Sequence, residues 1–71
     1  MSDTVPIDGA KMRRYRDTVV GGGKVSQYTL ARRTSLSRSF ISDIENGRRQ
    51  PRMLAARAIA EALGVTVDDL I

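Results

Sequence analysis

Stop signals at Gly21-Gly22-Gly23, Thr34-Ser35-Leu36, Asn46-Gly47 and Gly64 divide the chain into short pieces, so no regular element can be long. Between the stops, apolar residues recur at helical spacing, and nothing alternates long enough to make a strand. Asp8 is the expected N-cap of a first helix with Met12, Tyr15 and Val19 on one face. The three glycines end it, each costing about 1 kcal/mol inside a helix relative to alanine. Ser26 caps a second helix, Gln27 to about Arg33, with Leu30 and Ala31 facing inward. Ser37 caps a third, on which Ile41 and Ile44 face the core and Asn46-Gly47 gives a left-handed stop. Pro51 suits the start of a fourth helix, whose stripe of Met53, Ala56, Ile59, Ala60 and Leu63 closes at Gly64. Thr66 and Asp69 form a capping box that opens a last turn carrying Leu70 and Ile71. The expected fold is all-α with five short helices. Residues 1–7, with Pro6 opposing any earlier helix, form a flexible N-terminal arm, and residues 8–71 form one domain.

The 71 residues allow one small domain, and a chain of this size buries only about 60% of its unfolded surface. There is no cysteine and no histidine, which removes disulfides, zinc fingers, thiol nucleophiles and every histidine-based general base. No enzyme, no metal and no cofactor is expected. The run Gly21-Gly22-Gly23-Lys24 is not a phosphate-binding P-loop, because Val25 rather than Ser or Thr follows the lysine and no strand precedes it. The longest apolar stretch, Met53 to Ala56, is far too short to cross a membrane, and Met1 to Thr4 lacks the layout of a signal peptide. A cytoplasmic protein is expected.

Charge is unevenly placed. All 12 Lys and Arg residues lie between Lys11 and Arg57, where the only acids are Asp17, Asp43 and Glu45, a net of +9. The flanks carry Asp3, Asp8, Glu61, Asp68 and Asp69, a net of −5. A basic body with acidic ends suits a polyanionic partner. Two short helices joined by a tight turn inside that body suggest a helix-turn-helix. The exposed face of its second helix then carries Arg38, Ser39, Ser42 and Asp43, opposite Ile41 and Ile44. Arg38 near the helix start can take guanine O6 and N7 together, and the two serines suit bases or phosphates. Asp43 should accept from cytosine N4 or orient a neighbouring arginine, since a carboxylate facing phosphates is repelled. Arg48 and Arg49, beside that helix, suit backbone clamping, with Lys24 and Asn46 near phosphates. Phe40 has two accounts, covering the junction of helices or touching a thymine methyl, and the first is preferred.

The stretch from Val25-Ser26-Gln27 through Leu30-Ala31 to Ile41-Ser42-Asp43-Ile44-Glu45-Asn46-Gly47 closely resembles the helix-turn-helix of lambda-repressor-like, Cro-type regulators. The resemblance continues through Pro51-Arg52-Met53-Leu54 and Ile59 to Val65, covering roughly residues 10–71. It implies a compact five-helix domain that binds double-stranded DNA. The start of the second helix at Ser26 also offers a phosphate site, and the resemblance implies that Gln27 grips the DNA backbone there, that Glu45 pairs with Arg16 of the first helix, and that Arg52 reaches a narrow minor groove. Two departures stand out: Ser35 occupies the turn position that the family usually gives to glycine, and Val20 to Lys24 adds about one helical turn before the second helix.

The expected function is a small repressor-type regulator of double-stranded DNA. Two copies should bind a near-palindromic operator, pairing on DNA rather than free, through Leu54, Val65, Val67, Leu70 and Ile71. The same fold also serves protein-interaction modules, such as an antirepressor or an assembly anchor, and the antitoxin of a toxin pair.

Overall fold

The computed structural model describes residues 3–18 and 24–71, and among these the chain is all-α. Four α-helices, α1 (Gly9–Asp17), α2 (Gln27–Thr34), α3 (Arg38–Glu45) and α4 (Met53–Leu63), are followed by one 3-10 turn, Asp68–Leu70. Four helices therefore replace the five expected. The capping box does form, with Thr66 N–H donating to Asp69 Oδ2 at 2.9 Å and Asp69 N–H to Thr66 Oγ1 at 3.2 Å. The backbone bonds that follow it, such as Leu70 N–H to the Val67 carbonyl at 2.9 Å, all close over three residues. They make one tight turn, too short to bear the nucleation cost of an α-helix. No described helix is long and apolar enough to cross a membrane.

Three helix starts follow from the sequence. Asp8 Oδ1 accepts from Ala10 and Lys11 N–H, Ser26 Oγ from Thr29 N–H, and Ser37 Oγ from Phe40 N–H. The start of α4 differs from expectation. Arg52, not Pro51, immediately precedes the helix and makes no capping bond through its side chain. Pro51 is buried one residue earlier, where its carbonyl accepts from Val5 N–H at 2.7 Å. The expected helical position Val19 and the Gly21-Gly22-Gly23 stop lie outside the described residues.

Met12, Leu30, Ile41, Ile44, Ile59 and Leu70 are fully buried. Burying a side chain of this kind stabilises the fold by about 1.5–3 kcal/mol. α2 packs against α3 and α4, while α1 packs against α3 and the C-terminal turn. Two apolar assignments change. Met53, expected in the core stripe, is 51% exposed, at the edge of a groove shared with Leu36 and Phe40. Val5 and Ile7, read as parts of a flexible arm, are buried, and an antiparallel bridge joins Thr4 to Arg52. An apolar pair at alternate positions, Val5 and Ile7, is enough to fasten an extended segment to the core.

Gly9 permits a close approach of backbone to backbone. A Cβ there would collide with the Glu45 carbonyl oxygen and lie 2.8 Å from that of Ile44. The start of α1 therefore crosses the end of α3 at backbone distance, which sets Glu45 within reach of α1.

Candidate nucleic-acid interface

The angle between α2 and α3 is fixed at Ser35, whose φ of 59° is left-handed. Leu36 N–H then reaches back to the Ala31 carbonyl at 3.1 Å and closes the end of α2. α4 ends in the same way, with Gly64 at φ 73° and Val65 N–H on the Ala60 carbonyl at 2.9 Å. The geometry is shared, but only α4 has glycine to adopt it. Ser35 bears a cost of about 1–2 kcal/mol that its cross-turn bonds offset.

Behind α3, Glu45 ties three elements together. Arg16 donates to it twice, Nε to Oε2 at 2.7 Å and Nη2 to Oε1 at 3.0 Å, while Arg16 Nη1 donates to the Val25 carbonyl at 3.1 Å. Gln27 Nε2 adds a bond to Glu45 Oε1 at 3.1 Å. The side chains of Arg16 and Glu45 are only 12% and 5% exposed. A bidentate guanidinium–carboxylate pair of this geometry is among the stronger polar contacts available. The hydrogen bonds that Arg16 donates to Glu45 hold the Arg16 pKa above its ordinary, already strongly basic value. The stabilisation on the arginine side is therefore complete below that ordinary value and is lost only in more alkaline solution.

Away from the buried Ile41 and Ile44, the other polar side chains of α3 lie at the surface. Arg38, Ser39, Ser42 and Asp43 share a shallow concavity with Gln27 and Arg48. The structure thus gathers the four residues expected at base edges together with two expected at the backbone. Asp43 makes a loose ion pair with Arg48, Nη1 to Oδ1 at 3.5 Å, and its carbonyl accepts from Arg48 N–H at 2.8 Å. Of its two expected roles, the geometry provides the orienting of an arginine. Asn46 folds back instead, donating to the Ser42 carbonyl at 2.9 Å. Ser26 is similarly committed, since its hydroxyl also donates to Thr29 Oγ1 at 3.0 Å. What α2 offers at its start is therefore its free backbone N–H groups and the amide of Gln27.

The remaining candidates lie around this concavity or away from it. Lys24 is exposed just before α2, and Arg49 and Arg52 are exposed in the segment leading to α4. Phe40 is half-buried against the core, as preferred from sequence, and the guanidinium of Arg49 stacks over its ring 4.9 Å from the centroid. That contact went unforeseen, because a Phe and an Arg nine positions apart carry no local signal. The apolar residues proposed for pairing divide. Leu70 is fully buried and cannot form a surface, because the C-terminal turn folds it under α1. Val65 and Val67 are half-buried against the core. Leu54 at 82% and Ile71 at 46% remain exposed. Leu54 and Met53 edge an apolar groove whose floor includes Leu36 and Phe40.

Comparison with known proteins agrees with this geometry. Residues 22–70 match the helix-turn-helix family. An immunity repressor protein of Bacillus phage phi105 is 40% identical over 48 residues, 68% of this chain. The chain spans 33% of the length of that relative. The crystal structure of the restriction-modification controller protein C.AhdI from Aeromonas hydrophila superimposes with a TM-score of 0.75 at 32% identity, covering 89% of each chain. The clp gene regulator ClgR from Corynebacterium glutamicum shares the fold, with a TM-score of 0.77 at 24% identity over 96% of this chain and 70% of its own. With the tight α2–α3 turn, the open polar face of α3 and a family match over most of its length, the chain belongs to the helix-turn-helix family of XRE-type, lambda-repressor-like DNA-binding regulators.

Proposed function

We propose that this protein is a sequence-specific regulator of double-stranded DNA, acting as a small Cro-like repressor. The observation that carries the reading is the contrast on α3. Glu45 is saturated by partners from α1 and α2, whereas Arg38 and Ser39, with the loosely held Ser42 and Asp43, line one concavity within a strongly basic segment. With α3 in the major groove, Arg38 at its first turn reads guanine through O6 and N7, and Ser39 and Ser42 meet adjacent bases or phosphates. Asp43 orients Arg48, or accepts from cytosine N4 where that base lies within reach. Gln27 has two amide N–H groups; one is held by Glu45, and the other is available to a phosphate beside the start of α2. Ser26, through its backbone, and Lys24, Arg48 and Arg49 add sequence-independent grip, whereas Asn46 holds Ser42 instead. Arg52 reaches toward the minor groove, where an A·T-rich, narrow groove would attract it.

One short helix reads only a few base pairs, so two copies on a near-palindrome, with half-sites about 10–10.5 base pairs apart, supply the missing contacts. With Leu70 buried, the exposed Leu54 and Ile71 and the half-buried Val65 and Val67 are the apolar residues left for pairing. This small surface favours assembly on DNA over assembly in free solution. The phage relative is named a repressor, which supports the repressing sense.

Selection from a random duplex library tests the reading. A recurring near-palindromic motif, bound by two copies and weakened steeply by salt, is expected. Indiscriminate recovery of sequences at physiological salt would refute sequence-specific regulation, and one copy on a non-palindromic site would refute the dimer alone.

A further inference from the structure

The segment between α3 and α4 carries Arg48, Arg49 and Arg52, and a segment of this kind would ordinarily be free to move. Here it is fastened at both ends. At its start, Arg48 and Arg49 N–H both donate to the Asp43 carbonyl, at 2.8 and 3.4 Å. At its end it is met by the extended segment from Asp3 to Ile7. Val5 N–H donates to the Pro51 carbonyl at 2.7 Å, Thr4 bridges to Arg52, and Ile7 N–H is shared between the Val5 carbonyl at 2.8 Å and Gln50 Oε1 at 3.0 Å. Val5, Ile7 and Pro51 are all buried, so the fastening is anchored in the core. Gln50 stands among the arginines, yet its acceptor oxygen is turned inward to the chain's own backbone.

We propose that residues 3–7 act as a clasp that holds the arginine segment in its DNA-gripping shape, with Gln50 as the positioning residue that joins the two. The proposal rests on the reading of Arg48, Arg49 and Arg52 as phosphate and groove contacts. A loop held in its bound shape before binding loses less conformational entropy when it meets DNA. The clasp therefore strengthens binding without touching the duplex, and it does so for all sequences alike. It also gives the N-terminal segment a role opposite to that of a free arm, since Val5 and Ile7 are spent on the core rather than on DNA.

The test uses the full chain and a random-sequence duplex of fixed length, so that only sequence-independent grip is measured. Thermal melts first establish a temperature at which every variant is folded. Gln50→Ala should bind about fivefold more weakly, because the unfastened loop must be ordered during binding and no longer brings every arginine to a phosphate. The dependence of log Kd on log salt should also become shallower, since each lost phosphate contact removes about 0.9 from the slope. A purely structural role for Gln50 would move the melt and leave that slope alone. The same substitution should cost nothing further once Arg48, Arg49 and Arg52 have all been changed to Ala. Unchanged affinity and slope in folded Gln50→Ala, or an equal loss in the arginine-free background, would overturn the clasp. Arg49→Ala in the intact chain separates the two claims. If it leaves binding and slope unchanged, the loop's role on DNA falls and the clasp with it. A loss in Arg49→Ala with none in Gln50→Ala overturns the clasp alone.

Discussion

The two sides of α3 use similar polar groups to different ends. On the inner side, Glu45 accepts three side-chain bonds between 2.7 and 3.1 Å from α1 and α2, and 5% of its side chain is exposed. On the outer side, two residues earlier, Asp43 has one loose contact of 3.5 Å with Arg48 and lines an open concavity with Arg38, Ser39 and Ser42. The difference teaches what a polar residue on this helix is for. The saturated group holds the three-helix junction, and the loosely held ones are those proposed to meet DNA.

Breaking the inner side should have the largest effect. Glu45→Ala leaves Arg16 and Gln27 with donors and no carboxylate, and should lower folding stability by about 3–5 kcal/mol, as measured by thermal or denaturant melts. An unchanged melt would show that the inner network contributes no more than a surface ion pair. The crossing that brings Glu45 to α1 can be attacked separately. Gly9→Ala forces a methyl group into the Glu45 carbonyl and should cost about 2–3 kcal/mol, since backbone cannot yield as a side chain can. A neutral result would mean that α1 shifts freely against α3. The smallest expected effect lies at the turn joining α2 and α3. Ser35→Gly relieves left-handed strain but loosens the unfolded chain, for a net gain of about 0.5–1 kcal/mol. A loss instead would show that the serine side chain contributes something its backbone does not.

Much of this arrangement is legible in the residues themselves, because its signals are local. Asp8, Ser26 and Ser37 cap within three residues, the Thr66–Asp69 box closes on itself, and Ile41 and Ile44 mark the buried face of α3 by spacing alone. The pairing of Arg16 with Glu45 spans 29 positions and came from family resemblance, not from pattern. What escaped is non-local. Gln50 meets Ile7 across 43 positions, and nothing in a short extended segment tells whether it will find a groove to fill. Met53 and Leu70 exchanged places for a related reason. Periodicity gives a helix face, but where the face begins and what folds beneath a terminal turn depend on packing between elements. At the candidate site, helical spacing nominated Arg38, Ser39, Ser42 and Asp43, whereas only the fold reveals that Ser26 and Asn46 have spent their side chains within the chain.

The central claim is that the outer face of α3 reads bases while its inner face holds the fold. It is tested most directly by measuring the binding of wild type and Arg38→Ala to a selected duplex and its single-base variants at one salt concentration. Arg38→Ala should melt like wild type, lose about 1–3 kcal/mol of binding to the selected site, and become indifferent to the base at one position in each half-site. Retention of the full base preference by Arg38→Ala, or a loss of equal size on every duplex, would contradict the account.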